Sequence, residues 1–263
     1  MALLLGLASS LSGCAVGAGG EQGPAAWHSP APTADAELTD ARQRARIRLE
    51  LASAYFERGQ TAVALEEIQR ALASDPAYGP AHVLRGLVHM RLDEPARAQD
   101  SFHRALLIDP RDADALHNLG WLQCQQGHYT DALALFERAL RSPLYEGSAK
   151  TLMAEGICLM RMDRWQEAED RLAKAHELDA VHPVIGYNLA VLLYKRGDYS
   201  RAQLHVHRLN RSAMANAETL WLGIRVERRL NQTDAMEQLA LQLSRHFPAS
   251  RQWAAYQRGA FDE

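Results

Sequence analysis

The residues that could do chemistry in this chain are few and scattered. His205 and His207 lie two positions apart on a predicted helix, so their side chains point in different directions and cannot ligate one metal ion. The sequence holds no HExxH, CxxC, GxSxG or P-loop motif. We therefore predict a protein that is not an enzyme, with no metal, no cofactor and no small-molecule substrate.

Cys14 is the one residue whose surroundings predict a covalent modification. Residues 2–13 form an apolar or small-residue run that is too short to span a bilayer but suits the hydrophobic region of an export signal. Residues 11–14 read Leu-Ser-Gly-Cys and resemble the bacterial lipobox, in which the cysteine thiol receives diacylglycerol and the signal is cut just before it. The alternative, a core helix ending in a buried cysteine, is disfavoured by the Gly- and Pro-rich sequence that follows.

The same resemblance implies a location. In lipoproteins of Gram-negative bacteria an aspartate after the cysteine retains the protein in the inner membrane, and this chain has Ala15 there. We expect a signal peptide over 1–13, a lipidated flexible tether over 14–38, and attachment to the periplasmic face of the outer membrane. Neither Lys nor Arg precedes the apolar run, which indicates a translation start a few codons upstream.

Small residues recur every 34 positions, and this period determines the predicted fold. Three columns run through three units: Ala52, Gly86 and Gly120; Ala64, Ala98 and Ala132; and Ala71, Ala105 and Ala139. After a slip of two residues the pattern resumes at Gly156 and Ala168. Small residues on paired helices let the two backbones approach closely. The period therefore predicts a tetratricopeptide (TPR) array, an all-α, right-handed superhelix of about six helix-turn-helix repeats.

The predicted solenoid covers residues 39–263 and begins with an N-cap at Thr39 and Asp40. Its units lie near 45–78, 79–112, 113–148, 149–182, 183–215 and 216–248, and a capping helix with Trp253 and Tyr256 on its apolar face is expected in 249–263. The slip falls in 142–147, a longer connection than the other units need. Asp93 stands where glycine usually makes the turn between paired helices.

The net charge of the chain limits the class of partner, and the positions of two cysteines predict whether they form a disulfide. The net charge of −3 and a pI near 6.4 argue against nucleic acid as a partner, which would need a basic stripe. Cys124 and Cys158 occupy the twelfth and tenth positions of their units. Because those positions point in different directions around the first helix, we expect two free packed thiols and no disulfide.

The first helix of each TPR, helix A, lines the concave face of such a solenoid, so its outward positions predict a partner-binding groove. The predicted groove residues are aromatic, Met or aliphatic: Phe56, Leu87, Met90, Trp121, Met153, Ile157, Met160, Tyr187 and Tyr194. Val83, His117 and Cys124 occupy further groove positions, and Arg91, Arg161 and Lys195 form a basic edge. Such a surface suits an apolar or amphipathic segment. The alternative is that about half of these residues pack against neighbouring repeats.

The last third of the chain carries a more specific resemblance. Residues 192–199 read Leu-Leu-Tyr-Lys-Arg-Gly-Asp-Tyr, residues 220–225 read Leu-Trp-Leu-Gly-Ile-Arg, and residues 142–145 read Ser-Pro-Leu-Tyr. With the lipobox and the repeats, these segments resemble the PilF/PilW family of type IV pilus biogenesis and stability lipoproteins. The resemblance implies a pilotin, which binds the secretin subunit, brings it to the outer membrane and promotes its multimerisation. The alternatives are a general envelope scaffold lipoprotein and a periplasmic chaperone-like binder without a secretin client.

Overall fold

A computed structural model describes residues 34–261 of the chain, with side chains described from residue 37. This part contains thirteen α-helices and no strand. The bounds are α1 Ala34–Glu57, α2 Thr61–Ser74, α3 Gly79–Arg91, α4 Pro95–Ile108, α5 Ala113–Gln125, α6 Tyr129–Leu140, α7 Ser148–Arg161, α8 Trp165–Leu178, α9 Pro183–Lys195, α10 Tyr199–Asn210, α11 Ala217–Arg229, α12 Thr233–His246 and α13 Arg251–Gln257. None of these helices has the length and hydrophobicity needed to cross a membrane.

The helices follow each other as six antiparallel pairs and a final cap, which confirms the predicted all-α TPR fold. Odd-numbered helices up to α11 are the A helices, and even-numbered ones are the B helices. Each pair packs internally, each B helix packs on the next A helix, and successive A helices touch. The core is therefore a series of contacts between consecutive units rather than one central cluster. We call these contacts joints, so that the first joint lies between the first and second units.

The start of the solenoid differs from the prediction. The expected N-cap at Thr39 and Asp40 is wrong, because α1 already begins at Ala34. The sequence Ala-Asp-Ala-Glu-Leu has good helix formers at four of its five positions, so the helix continues past the Thr39 cap signal. The last five residues of the predicted tether are thus helical, whereas the lipidation site Cys14 lies outside the described residues.

A left-handed residue makes the turn inside every helix pair. Three of these residues are glycines, and Asp93, Asp163 and Asn231 adopt the same positive φ of 54–58°. Aspartate and asparagine tolerate this region better than other side chains, which explains why the turn at Asp93 survives without glycine. The turn is closed by a backbone hydrogen bond that reaches back five residues, for example from the His128 amide to the Gln123 carbonyl at 2.9 Å.

A large apolar side chain of helix B fills the space above a glycine of helix A in three consecutive units. A Cβ atom on Gly120 would lie 2.8 Å from the ring of Phe136, and one on Gly156 would lie 2.7 Å from Leu172. Gly86 faces the ring of Phe102 in the same way. Phe136, Phe102 and Leu172 are fully buried at these sites. The columns of small residues therefore mark the contacts between paired helices, as the sequence predicts.

The joint between the third and fourth units contradicts one expectation. Cys124 on α5 and Cys158 on α7 form a disulfide, with their Cα atoms 5.9 Å apart. The prediction of free thiols is wrong because it compared the two positions around a single helix. Neighbouring A helices face each other through different sides, so the twelfth position of one meets the tenth position of the next.

The longer connection before α7 is fixed by a buried polar network. The Nδ1 atom of His117 lies 2.9 Å from the hydroxyl of Thr151, which in turn lies 3.1 Å from the hydroxyl of Tyr145. Tyr145 also packs on Gly147, where a Cβ would clash with its ring. Burial lowers the pKa of His117 to about 4, so the imidazole is neutral at pH 7. The two inserted residues therefore give a defined connection between α6 and α7.

The glycine contact gives a first testable prediction. Gly120→Leu should overpack the contact between α5 and α6 at Phe136 and lower the free energy of unfolding by at least about 1–3 kcal/mol. Gln126→Leu, in the exposed end of the same helix pair, should be nearly neutral. Thermal and urea unfolding of both variants measures the difference, and equal stabilities would contradict the helix pairing described here.

The disulfide gives a second prediction. Thiol titration of unfolded Cys14→Ser protein should find no free thiol before reduction and two afterwards. The bond closes a loop of 34 residues, so reduction should lower the free energy of unfolding by about 3–4 kcal/mol from chain entropy. Cys124→Ser/Cys158→Ser should match the reduced protein and lose its response to reductant. Two free thiols in the oxidised protein would rule the bond out.

Candidate functional site

The A helices present a continuous row of partly exposed apolar side chains, which we call the groove face. All nine predicted groove residues are half-buried, and none is fully exposed or fully buried. Most of them rest on the core with one side: Phe56 and Leu87 on the first joint, Met90 on the second, Trp121 on the third, and Met153, Met160, Tyr187 and Tyr194 on the fourth and fifth. They therefore pack against neighbouring repeats and still offer surface to a partner.

Three other groove positions are not available to a partner. Val83 is 8% exposed, His117 is 3% exposed and Cys124 is completely buried. His117 and Cys124 are turned toward α7, where they bond to Thr151 and Cys158 respectively. The prediction that these residues line the groove is wrong, because their side chains are buried in contacts between successive A helices.

Two residues of the predicted basic edge, Arg91 and Arg161, make contacts within the protein. Arg91 lies 3.7 Å from the centroid of the Phe56 ring and donates a hydrogen bond to the Phe56 carbonyl. Arg161 donates to the Cys124 carbonyl at 3.2 Å and lies 5.8 Å from the Trp121 ring. Each arginine therefore satisfies a carbonyl at the C-terminal end of the preceding A helix. These two cations bind one repeat to the next and shield an aromatic of the groove face.

A pocket of about 570 Å³ lies at the C-terminal end of the groove face, between α9, α11 and α13. We call it the end pocket. Its lining residues are Tyr187, Val191, Tyr194, Lys195, Glu218, Trp221, Leu222, Arg225, Arg251, Gln252, Ala255 and Arg258. Its apolar part is formed by Tyr187, Val191, Trp221 and Leu222. The Phe261 ring stacks on Trp221, with the two ring centroids 5.5 Å apart.

Cations dominate the polar part of the end pocket. Arg225 lies over the Tyr194 ring, 4.7 Å from its centroid, and its buried Nε has no hydrogen-bond partner among the described residues. Arg251 contacts Glu218 at 3.4 Å, with both side chains more than half exposed. Burial raises the pKa of Tyr187, and Glu218 adds to the rise while Arg225 and Arg251 oppose it. The tyrosine hydroxyl thus stays protonated and can donate.

The structure brings only two predicted groove residues together in this pocket. Tyr187 and Tyr194 line it, whereas Trp121 lies two A helices earlier under Arg161. Met90 lines a separate, smaller pocket of about 340 Å³ beside the turn at Asp93. The sequence reasoning missed Trp221, Arg225 and Arg251. A signal for two of them was present in the Leu-Trp-Leu-Gly-Ile-Arg segment, where Trp221 and Arg225 lie four positions apart and so share one face of a helix A.

Within residues 37–261, no group of three or more His, Cys, Asp or Glu side chains is placed to hold a metal ion. His205 and His207 diverge as expected from their spacing. The His205 ring meets His176 edge-on at 5.1 Å, while His207 bonds to the buried carboxylate of Glu227 at 2.5 Å. The conspicuous histidines of the last third therefore have structural contacts with neighbouring helices.

Comparison with known proteins agrees with this architecture along most of the chain. A family model described as a tetratricopeptide repeat matches residues 78–142. The type IV pilus assembly protein PilF of Pseudomonas aeruginosa is 28% identical over 257 residues, which cover 97% of each chain. The likeness is therefore end to end and includes the part of the sequence before the repeats.

Solved structures give the same result. The structure of Pseudomonas aeruginosa PilF matches with a TM-score of 0.74 and 27% identity, over 84% of this chain and 99% of that one. The crystal structure of PilW, a widely conserved type IV pilus biogenesis factor, matches with a TM-score of 0.76 and 26% identity, over 81% and 98% of the two chains. The repeats, the full-length likeness and the helix arrangement agree: the chain is a PilF/PilW-like tetratricopeptide-repeat protein.

Proposed function

We propose that this chain is an outer-membrane lipoprotein adaptor of type IV pilus biogenesis, which binds the secretin subunit and promotes its localisation and multimerisation. The observation that carries the proposal is the end-to-end likeness to PilF, which covers 97% of both chains. The likeness to PilW, a type IV pilus biogenesis factor, supports it. A solenoid of TPRs is suited to this role, because it offers an extended surface for a protein segment.

Two parts of the chain divide the work in this proposal. The acyl groups on Cys14 hold the protein at the periplasmic face of the outer membrane, since several lipid chains give stable attachment where one gives only marginal binding. The groove face holds the secretin subunit. Its half-buried Phe, Trp, Tyr and Met side chains are fixed by the core on one side, so little side-chain entropy is lost when they bind.

The anchor generates a prediction in cells. Cys14→Ser protein should fold normally but appear in the soluble periplasmic fraction, because the repeats need no lipid for their packing. The secretin should then be mislocalised or remain unassembled. Membrane fractionation with immunoblots of both proteins measures the outcome.

Ala15→Asp is the matched variant for the anchor. By the retention rule of Gram-negative lipoproteins, it should still be lipidated but should move to the inner membrane. Wild-type amounts of Cys14→Ser protein in the outer membrane would contradict the anchor. Normal secretin multimers with the anchor lost would instead favour a general envelope scaffold.

The groove face generates a prediction in vitro. Trp121→Ala should weaken binding to purified secretin by about 2 kcal/mol or more, because buried aromatic anchors dominate interface energies. Tyr187→Ala should act in the same direction. High salt should change this binding little, since the residues involved are uncharged. Titration calorimetry measures the affinities.

Leu107→Ala is the control for loss of a large apolar surface. Leu107 is 83% exposed on α4, a B helix, and should not affect binding. Melting curves must show that Trp121→Ala is folded, because the side chain also packs on the third joint. A folded Trp121→Ala protein with unchanged affinity would move the site off the groove face, to the B helices or the last unit.

A further inference from the structure

The end pocket has a charge opposite to that of the whole protein. The chain carries a net charge of −3, yet Lys195, Arg225 and Arg251 line the pocket, and Glu218 is the one carboxylate among its described lining residues. Along the rest of the groove face, Arg91 and Arg161 are bonded to backbone carbonyls. The cationic character of the end pocket is therefore a local feature that attracts anionic groups.

Arg225 is prepared to receive an acceptor. Its guanidinium is positioned over Tyr194 at 4.7 Å, but its buried Nε makes no hydrogen bond among the described residues. The rest of the guanidinium lines the pocket and is paired with no carboxylate of the described residues, so an incoming carboxylate can form a charge-assisted bond with it. Arg251 makes only a long 3.4 Å contact with Glu218 and is 85% exposed, so it can change partner at little cost.

The pocket also has an apolar part. Trp221 is 9% exposed and is stacked against Phe261, so its position is fixed before any ligand binds. Tyr187, Val191 and Leu222 continue this surface from α9 to α11. A volume of about 570 Å³ is enough for one large side chain and its neighbours. The chemistry that fits is an aromatic or aliphatic side chain beside carboxylates.

We propose that the end pocket binds an acidic segment of a protein partner, in which Asp or Glu side chains flank an aromatic or aliphatic residue. The carboxylates pair with Arg225 and Arg251, and the apolar side chain rests on Trp221 and Tyr187. This inference goes beyond the proposed function, because it defines what one end of the solenoid recognises. It does not depend on which protein carries the segment.

The test uses the full chain in detergent and two fluorescently labelled, C-terminally amidated peptides. The acidic peptide is Gly-Asp-Phe-Glu-Leu-Asp-Gly, and its matched control replaces each Asp by Asn and the Glu by Gln. Fluorescence anisotropy should give an affinity at least about ten-fold higher for the acidic peptide. That preference should shrink as salt is raised from about 50 to about 500 mM, because screening weakens the charge pairs.

Three substitutions locate the binding. Arg225→Gln and Arg251→Gln should each reduce the affinity for the acidic peptide, by about ten-fold and about three-fold respectively, since the second side chain is more exposed. Glu218→Gln should strengthen it, because the competing carboxylate is gone. Arg245→Gln, an exposed residue of α12 outside the pocket, is the matched control and should change nothing.

Equal affinities for the two peptides would overturn the proposal, as would equal losses in the Arg251→Gln and Arg245→Gln proteins. Arg251→Gln keeps the test valid even if loss of the Arg225 contact with Tyr194 disturbs folding. Failure here leaves the secretin proposal intact, because Trp121→Ala tests that proposal outside the end pocket, which Trp121 does not line.

Discussion

The close approach of helix A to helix B is the contact on which the rest of the structure depends. Glycine at Gly86, Gly120 and Gly156 leaves room for Phe102, Phe136 and Leu172, which are fully buried there. A large side chain at this place contacts both helices of its pair, so it sets their distance and angle. Because three consecutive units repeat this contact, their arrangement follows from local geometry, without long-range pairing.

Contacts between successive A helices then decide what the groove face can offer. The disulfide between Cys124 and Cys158, the hydrogen bond between His117 and Thr151, and the arginines that reach back to the preceding helix all lie at these joints. They remove polar and reactive groups from the surface. What remains exposed is the row of Met and aromatic side chains. The apolar character of the groove face is thus a consequence of how the repeats are joined.

Much of the fold could be predicted from the sequence because a TPR is specified by local contacts. The columns through Gly120 and Ala132 predict both the helix pairing and the period. The contacts between units were harder to predict. Cys124 and Arg161 each contact the neighbouring A helix, and the sequence alone does not show which sides of two A helices face each other. The start of α1 was missed for another reason: Thr39 is a good cap, but the helix formers before it outweigh that signal.

The candidate site was predicted only where it depends on one helix. Tyr187 and Tyr194 lie on α9, and helical spacing alone places both on the same face. The end pocket also needs Arg225 from α11 and Arg251 from α13, and their meeting depends on a cap that follows the last repeat. Within the described residues, α13 rather than another repeat packs on the A helix of the sixth unit, and it covers only part of that surface. Trp221 is covered by Phe261, while Arg251, which lines the same pocket, stays exposed. An irregular end of a regular solenoid thus provides the chemistry that its interior units lack.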